Sequence, residues 1–527
     1  MAGRTLKIIA LCFLICCTLI LGGCGEKSQK TENIYRIAGD DYGYPAPYAY
    51  YPRGPGYCRM SLIFDTLLWK DENGSLIPAL AKEYAASPDG KVWTFKLDTN
   101  AKWHDGQPVT GEDIKFTVDY MQKNPHPSFT SEVRRIDKVT VNGSEVKFYL
   151  KKPYAPFLSN IAANVPILPQ HIWSGVSDPL KFTDAKSVIG SGPFKLKQYD
   201  KASAVYIYEA NKDYYQGKVL ADQLIFTKPG QPLLALTKGD IDAFEPSVDQ
   251  IKVLEKNSEI KIAEGLGFWV YRLMFNLKQE PFSKIKFRQA VAHALNLPDL
   301  VERAVHGGAV PGSAGYVSPE LEEWYNPQIV HYAYNLTEAD KILNELGYID
   351  RDKDGIREMP DGSKLSFELV CFSEGKEAEV VKEMLKQTGI ELRLKACDKG
   401  THDTLVAEGQ YQLALEGHGG IGGDPAFLNS LIFSQNEKKH SRDMYQNKEY
   451  IALAEKQLET MDYESRKNLV FQMQAILAEE LPTIPLYYRK SFLAYHPGKI
   501  NSWFFTKGGI ASGIPTSLNK LVFIEKG

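Results

Sequence analysis

Apolar and polar residues alternate over Val92–Leu97 (VWTFKL), between a turn at Ser87–Gly90 and another at His104–Pro108. From Thr110 the period becomes helical. Thr110 has N-cap chemistry, and Glu112 and Asp113 put negative charge beside the unpaired first-turn N–H groups. A strand, a tight turn and a capped helix are therefore predicted. Similar alternations recur along the chain. Strands are expected at Ile34–Ile37, Phe268–Asn276, Leu365–Val370 and Ile390–Lys395, with a hairpin over Val139–Leu150 turning at Asn142-Gly143. Helices are expected over about Cys58–Leu68, from Leu233 to a stop at Gly239 before a strand near Ala243, over Glu338–Leu346, Glu377–Gln387 and Leu469–Leu481, and from Ile285 onward. In the last of these, Ala290, Val291, Ala294 and Leu295 share one face, and His293 lies at its boundary. Interleaved strands and helices point to an α/β fold. Between the first strand and helix, Asp40–Tyr57 is crowded with Pro, Gly and Tyr, which predicts a loop that displays tyrosines.

A chain of 527 residues exceeds one hydrophobic core and suggests two to four domains. With 43% hydrophobic residues, 24% charged residues and a net charge of -3, the composition is globular and shows no basic excess to bind nucleic acid. The start is different in kind. Arg4 and Lys7 precede the apolar run Ile8–Leu21, which reads as a secretory signal and is short for a membrane span. Leu21-Gly22-Gly23-Cys24 resembles a lipobox, with Cys24 the residue that would carry diacylglycerol, and several acyl chains on one cysteine hold a protein firmly. Residues 1–23 are thus expected to be a signal and 24–33 a polar tether. The mature protein is expected outside the cell, anchored to the outer face of the membrane, which is the periplasmic side in a diderm. Cys12, Cys16 and Cys17 leave with the signal. Cys58, Cys371 and Cys397 allow at most one disulfide, form no metal motif, and are expected as buried small hydrophobes.

Longer strings carry more functional weight. Pro78-Ala79-Leu80-Ala81, Ser87-Pro88-Asp89-Gly90, Trp93-Thr94-Phe95, Trp103-His104-Asp105-Gly106 and Glu112-Asp113-Ile114-Lys115-Phe116-Thr117 follow in an order that resembles the signature of bacterial extracellular solute-binding proteins of the peptide/nickel family, the receptors of ABC importers. Gly190-Ser191-Gly192-Pro193-Phe194, the turn Asn211–Gly217, Gly239-Asp240-Ile241-Asp242, Phe287-Arg288-Gln289-Ala290 and Pro482–Leu486 extend the resemblance from about Ile34 to the C-terminus. It implies a two-lobed periplasmic-binding-protein type II fold with a subdomain inserted in the first lobe. The implied boundaries are lobe I from 34–70, 186–274 and 490–527, the insert from 71–185, and lobe II from 275–489. It further implies a monomeric receptor without cofactor that closes on a peptide or similar small solute and delivers it to membrane permease subunits. Neither G-x-S-x-G nor H-E-x-x-H occurs, which leaves a secreted hydrolase as the remote alternative.

The resemblance also assigns a cleft. Tyr42, Arg53 and Tyr57 come from the tyrosine loop, Trp269 from the hinge strand, and His418 and Asp424 from the Gly-rich stretch Leu415–Leu428, whose missing Cβ atoms would let backbone approach a ligand. Peptide binders commonly place an aspartate where Ile421 stands here, so its pairing with a peptide α-ammonium would pass to Asp424 or Glu416, or the solute lacks a free amine. The alternative is a nickel-chelate receptor, with His418 and His440 as imidazole ligands. Asp350, Asp352, Asp354 and Gly355 imitate the first half of a calcium loop, but Pro360 and Asp361 spoil the second half, and a plain turn is expected.

Overall fold

The computed structural model describes residues 32–51, 55–373, 375–418, 423–431, 445–500, 502–511 and 517–525, without the side chains of His418 and Leu431. Cys24, Arg53, Ile421 and His440 lie outside the described residues.

The strands in chain order are β1 (Ile34–Ala38), β2 (Leu68–Lys70), β3 (Leu76–Pro78), β4 (Ala81–Ala86), β5 (Val92–Leu97), β6 (Ile136–Asn142), β7 (Glu145–Leu150), β8 (Phe194–Asp200) and β9 (Val205–Ala210). They continue with β10 (Gln223–Thr227), β11 (Ala243–Phe244), β12 (Lys261–Phe275), β13 (Ala309–Pro311), β14 (Ser366–Phe372), β15 (Glu391–Cys397), β16 (Leu413–His418) and β17 (Thr483–Tyr495). Among the described residues, one mixed sheet runs in the order β15-β14-β16-β12-β17-β11-β1-β10-β9-β8, with β13 on β17. A separate antiparallel sheet, β4-β5-β7-β6, is built from the segment that carries the Ser87–Thr117 strings. β1 is parallel to both β10 and β11, so three strands present their C-terminal ends on one edge.

Two long strands organise this sheet. β12 and β17 are antiparallel from Lys261↔Tyr495 to Met274↔Thr483, with a register shift between Gly265 and Trp269. Leu493 and Tyr495 of β17 are buried in a core with Tyr35, Trp69, Phe95 and Phe226, whereas Ile484, Leu486 and Tyr487 of the same strand are buried in a second core with Phe275, Phe287 and Leu369. One continuous backbone thus spans two cores. On the second core, Ala290, Val291, Ala294 and Leu295 are all buried as their spacing predicts, and the Arg288 guanidinium reaches the carbonyls of Glu480 and Leu481. Thr110 N donates to Asp113 Oδ2 at 2.8 Å, closing the predicted cap on the helix Gly111–Lys123.

Two sequence expectations are corrected. The helix expected over Cys58–Leu68 ends at Ser61, because Gly192 N donates to Ile63 O (2.7 Å) and Phe194 N to Leu62 O (3.0 Å), and the chain is taken into β2. The tyrosine loop turns three of its six rings inward. Tyr48, Tyr50 and Tyr57 are buried; Tyr48 OH donates to Asn124 O (2.8 Å), Tyr57 OH to Asn164 O (2.9 Å), and His126 Nε2 meets Pro47 O at 2.6 Å. A phenol that buries its ring must still satisfy its hydroxyl, and here the carbonyls of residues 124 and 164 do so. Cys58, Cys371 and Cys397 are buried thiols, as expected. Among the described residues no helix is long and apolar enough to cross a membrane.

Candidate functional site

A groove of about 290 Å³ opens where β1, β10 and β11 end. Ligands of open α/β sheets favour this location, because successive connections diverge from the carboxyl ends of parallel strands. Its wall includes Tyr42, Arg59, Phe226, Glu245, Trp503 and Ser517. Arg59 is 4% exposed and its guanidinium carbon stands 3.3 Å from the Phe226 ring centroid and 5.6 Å from that of Tyr42. Its Nε is buried without a hydrogen-bond partner among the described residues. Gly39 leaves the space for this side chain, since a Cβ there would lie 2.6 Å from Arg59 Nη2. A cation held by ring faces and short of acceptors is prepared for an anion.

Glu245 belongs to the same wall. Its side chain is exposed to the groove, yet protein surrounds it closely enough that desolvation raises its carboxyl above the ordinary range, with Arg59 and Arg489 opposing. Tyr42 is half-buried, its N–H donates to Tyr206 OH at 2.8 Å, and burial raises its phenol. Of the loop residues proposed from the sequence, Tyr42 reaches the groove. Tyr57, 2% exposed, offers a solute no surface in this structure, and Arg53 lies outside the described residues.

A second set of predicted residues sits on and just after β12 and β16. Trp269 is half-buried and pairs with Arg489 of β17, and its neighbour Val270 pairs with His418 of β16, so the sheet brings two predicted residues within one step of register. Gly417 serves the indole: a Cβ there would lie 2.7 Å from Trp269 Nε1. Asp424 is not a free carboxylate. Arg466 holds it in a bidentate pair, Nη1 to Oδ2 at 2.9 Å and Nη2 to Oδ1 at 2.6 Å, and Ala426 N also donates to it. Glu416 is 2% exposed and paired with Arg272 at 3.0 Å, so the other candidate for the missing aspartate is committed inside the sheet.

Three segments distant in sequence meet around Asp424. Lys70 of β2 is buried, which brings its ammonium down to about 8 against the pull of Asp424, and its Nζ lies 3.5 Å from where a Cβ on Gly423 would stand. Glu132 lies near enough for Asp424 to reinforce the rise that burial causes in its carboxyl, and Tyr154 OH donates to it at 2.5 Å. Further out, Ala155 N donates to Leu458 O (2.7 Å), Lys152 pairs with Glu459 (2.7 Å), and Lys399 Nζ sits 5.3 Å from the Tyr51 ring. Sequence reasoning missed Arg59, Glu245, Lys70 and Arg466. The one available signal was Arg59, a charge inside the apolar run Tyr57–Phe64.

Residues 75–440 match the family described as bacterial extracellular solute-binding proteins, family 5. The chain belongs to that family. As a family 5 protein it is 30% identical over 364 residues to a putative ABC transporter peptide-binding protein of Brucella ovis, covering 67% of this chain and 66% of that relative's length. It is 26% identical over 477 residues to the oligopeptide-binding protein AppA of Bacillus subtilis, covering 85% and 87% of the two chains. Among solved structures, NikZ of Campylobacter jejuni in complex with Ni(L-His) superposes with a TM-score of 0.76 at 26% identity, over 92% of this chain and 97% of that one. The mixed α/β architecture expected from the sequence is the fold of family 5 structures.

Proposed function

We propose that this family 5 protein is the receptor of an ABC importer, that it captures a peptide between two lobes, and that it passes the cargo unaltered to permease subunits in the membrane. The observation that carries the reading is Arg59, a desolvated guanidinium at the strand-end groove whose Nε has no acceptor among the described residues, which suits a solute carboxylate. Glu245, on the same wall, takes the part of the aspartate that peptide binders keep where Ile421 stands, and receives the α-ammonium. Tyr42 and Trp269 supply ring faces. The names of the Brucella and Bacillus relatives support a peptide as cargo.

Lobe I comprises 34–70, 186–274 and 490–527, the insert 71–185, and lobe II 275–489, with β12 and β17 as the crossing strands. Closure is favoured by contacts that need both sides present, such as Lys70 near Asp424, Lys152 with Glu459, and Lys399 over Tyr51. The protein acts as a monomer, exported and held by lipid on Cys24 at the outer face of the membrane.

A second reading, a nickel chelate as cargo, is favoured by the likeness to NikZ with Ni(L-His). Arg59 would then take a chelator carboxylate, and His418 and His440 would offer imidazole. Native mass spectrometry of the purified protein, with metal analysis, tests both. Co-purified peptides with free carboxyl termini are the expected result. Stoichiometric nickel would select the second reading. Neither of these, with no melting shift from a peptide library, would overturn the proposal.

A further inference from the structure

The calcium-like turn in the second core's periphery is unused by solute capture. We propose that Asp350–Glu358 binds one hard divalent cation of the calcium type through the carboxylates of Asp350, Asp352, Asp354 and Glu358. One carboxylate oxygen from each of the four lies within 4.8 Å of the others. Hard cations take such oxygen sets at 2.3 to 2.6 Å, so side-chain adjustments close the remaining gap.

Unsatisfied buried oxygens distinguish this site from an acidic turn. Glu358 is 6% exposed, and its Oε1 is buried without a hydrogen-bond partner among the described residues; so is Asp350 Oδ1. A buried carboxylate oxygen with nothing to accept is costly, and a cation removes that cost. The fold explains how the loop closes although its twelfth position fails. The bridge Ile349↔Glu358 folds the ninth position back beside the first, so Glu358 supplies the closing carboxylate that the twelfth position, Asp361, does not. Gly355, at φ +90°, makes the turn that this path requires.

The charges agree with a divalent ion. Four carboxylates face two cations, Lys364, which bonds Asp352 Oδ2 at 3.1 Å and also Asp354, and Arg351, 4.0 Å from Glu358 Oε2. Lys364 is 40% exposed on its side chain and is able to swing into solvent when a metal enters.

Calorimetric titration of the EDTA-treated, dialysed protein with CaCl₂, then with MgCl₂, decides the matter. The expected result is one equivalent of Ca²⁺ with Kd of about 10⁻⁵ to 10⁻³ M, weaker Mg²⁺ binding, and a melting temperature that rises and saturates with CaCl₂. Asp352→Asn and Glu358→Gln should each weaken Ca²⁺ at least about 10-fold, and Lys364→Met should tighten it. Asp352 is exposed, so its variant keeps the test sound if Glu358→Gln folds poorly. No saturable heat at 10 mM CaCl₂ (about ten times the weakest expected Kd) overturns the proposal. So does Ca²⁺ binding that Asp352→Asn leaves unchanged, or binding by Lys364→Met alone, which would make Lys364 the turn's permanent counter-ion. None of these readouts depends on the cargo.

Discussion

Replacing Arg59 by Met separates a binding group from a structural one by the sign of its effect on stability. Arg59 is 4% exposed, and its Nε is buried without a hydrogen-bond partner among the described residues. Burying an ion costs several kcal/mol even after relaxation. Against that stand its cation–π contact with Phe226, worth about 2 kcal/mol when desolvated, and the attraction of Glu245. Met keeps most of the apolar contact with Phe226 and removes the charge. Arg59→Met should therefore stabilise the empty protein by about 1 to 2 kcal/mol. For a folded body the size of Ile34–Gly527 this is a rise of roughly 1 to 2 °C in Tm. Affinity should move the other way. A charge-assisted hydrogen bond to a carboxylate is worth about 1.5 to 3 kcal/mol, so the solute identified by mass spectrometry should bind about 10- to 100-fold more weakly. Differential scanning fluorimetry without solute, and calorimetric titration with it, measure both. A clear fall in Tm without solute, or unchanged affinity, would show that Arg59 is a structural residue and not a binding group.

Asp424→Ala should cost about 3 kcal/mol of stability, because it strands the guanidinium of Arg466, and adding Arg466→Met should recover part of the loss. Urea denaturation reads the cycle, and an Asp424→Ala protein of native stability that no longer binds solute would instead make Asp424 a direct ligand. His104 and His126 each accept a backbone N–H on Nδ1, from Gly190 and Ser128, and burial lowers both to about 4. Unfolded histidine titrates near 6.5, so the unfolded chain binds more protons between pH 4 and 6.5, and stability falls as pH drops through that window, by about 2 kcal/mol per histidine at pH 5. A flat melting temperature from pH 7 to 5 would contradict this. Lys70 gives the alkaline counterpart: its ammonium lies at about 8 in the fold, so the unfolded chain holds the extra proton between there and its usual 10.5, and stability should rise with pH across that range by up to about 3 kcal/mol. Lys70→Met should flatten that rise in pH-resolved melting curves.

The residues themselves determined local events. VWTFKL becomes β5 because its alternation suits a half-buried strand, and Thr110 with Asp113 starts a helix because first-turn N–H groups need an acceptor nearby. The longer strings determined the family, and with it the fold. Tertiary structure decided which polar groups are free. Nothing in the spacing of Leu415–Leu428 shows that Arg466, 42 residues beyond Asp424, occupies that carboxylate, or that Asn124 and Asn164 turn the loop's tyrosines inward. The same holds for Arg59 and Glu245: the helix Gly56–Ser61 carries Arg59 to the groove where the parallel neighbours β1 and β11 end, and Glu245 directly follows β11. Periodicity reports how a segment partitions between water and core, whereas a binding site depends on which charges remain unpaired after distant segments have met.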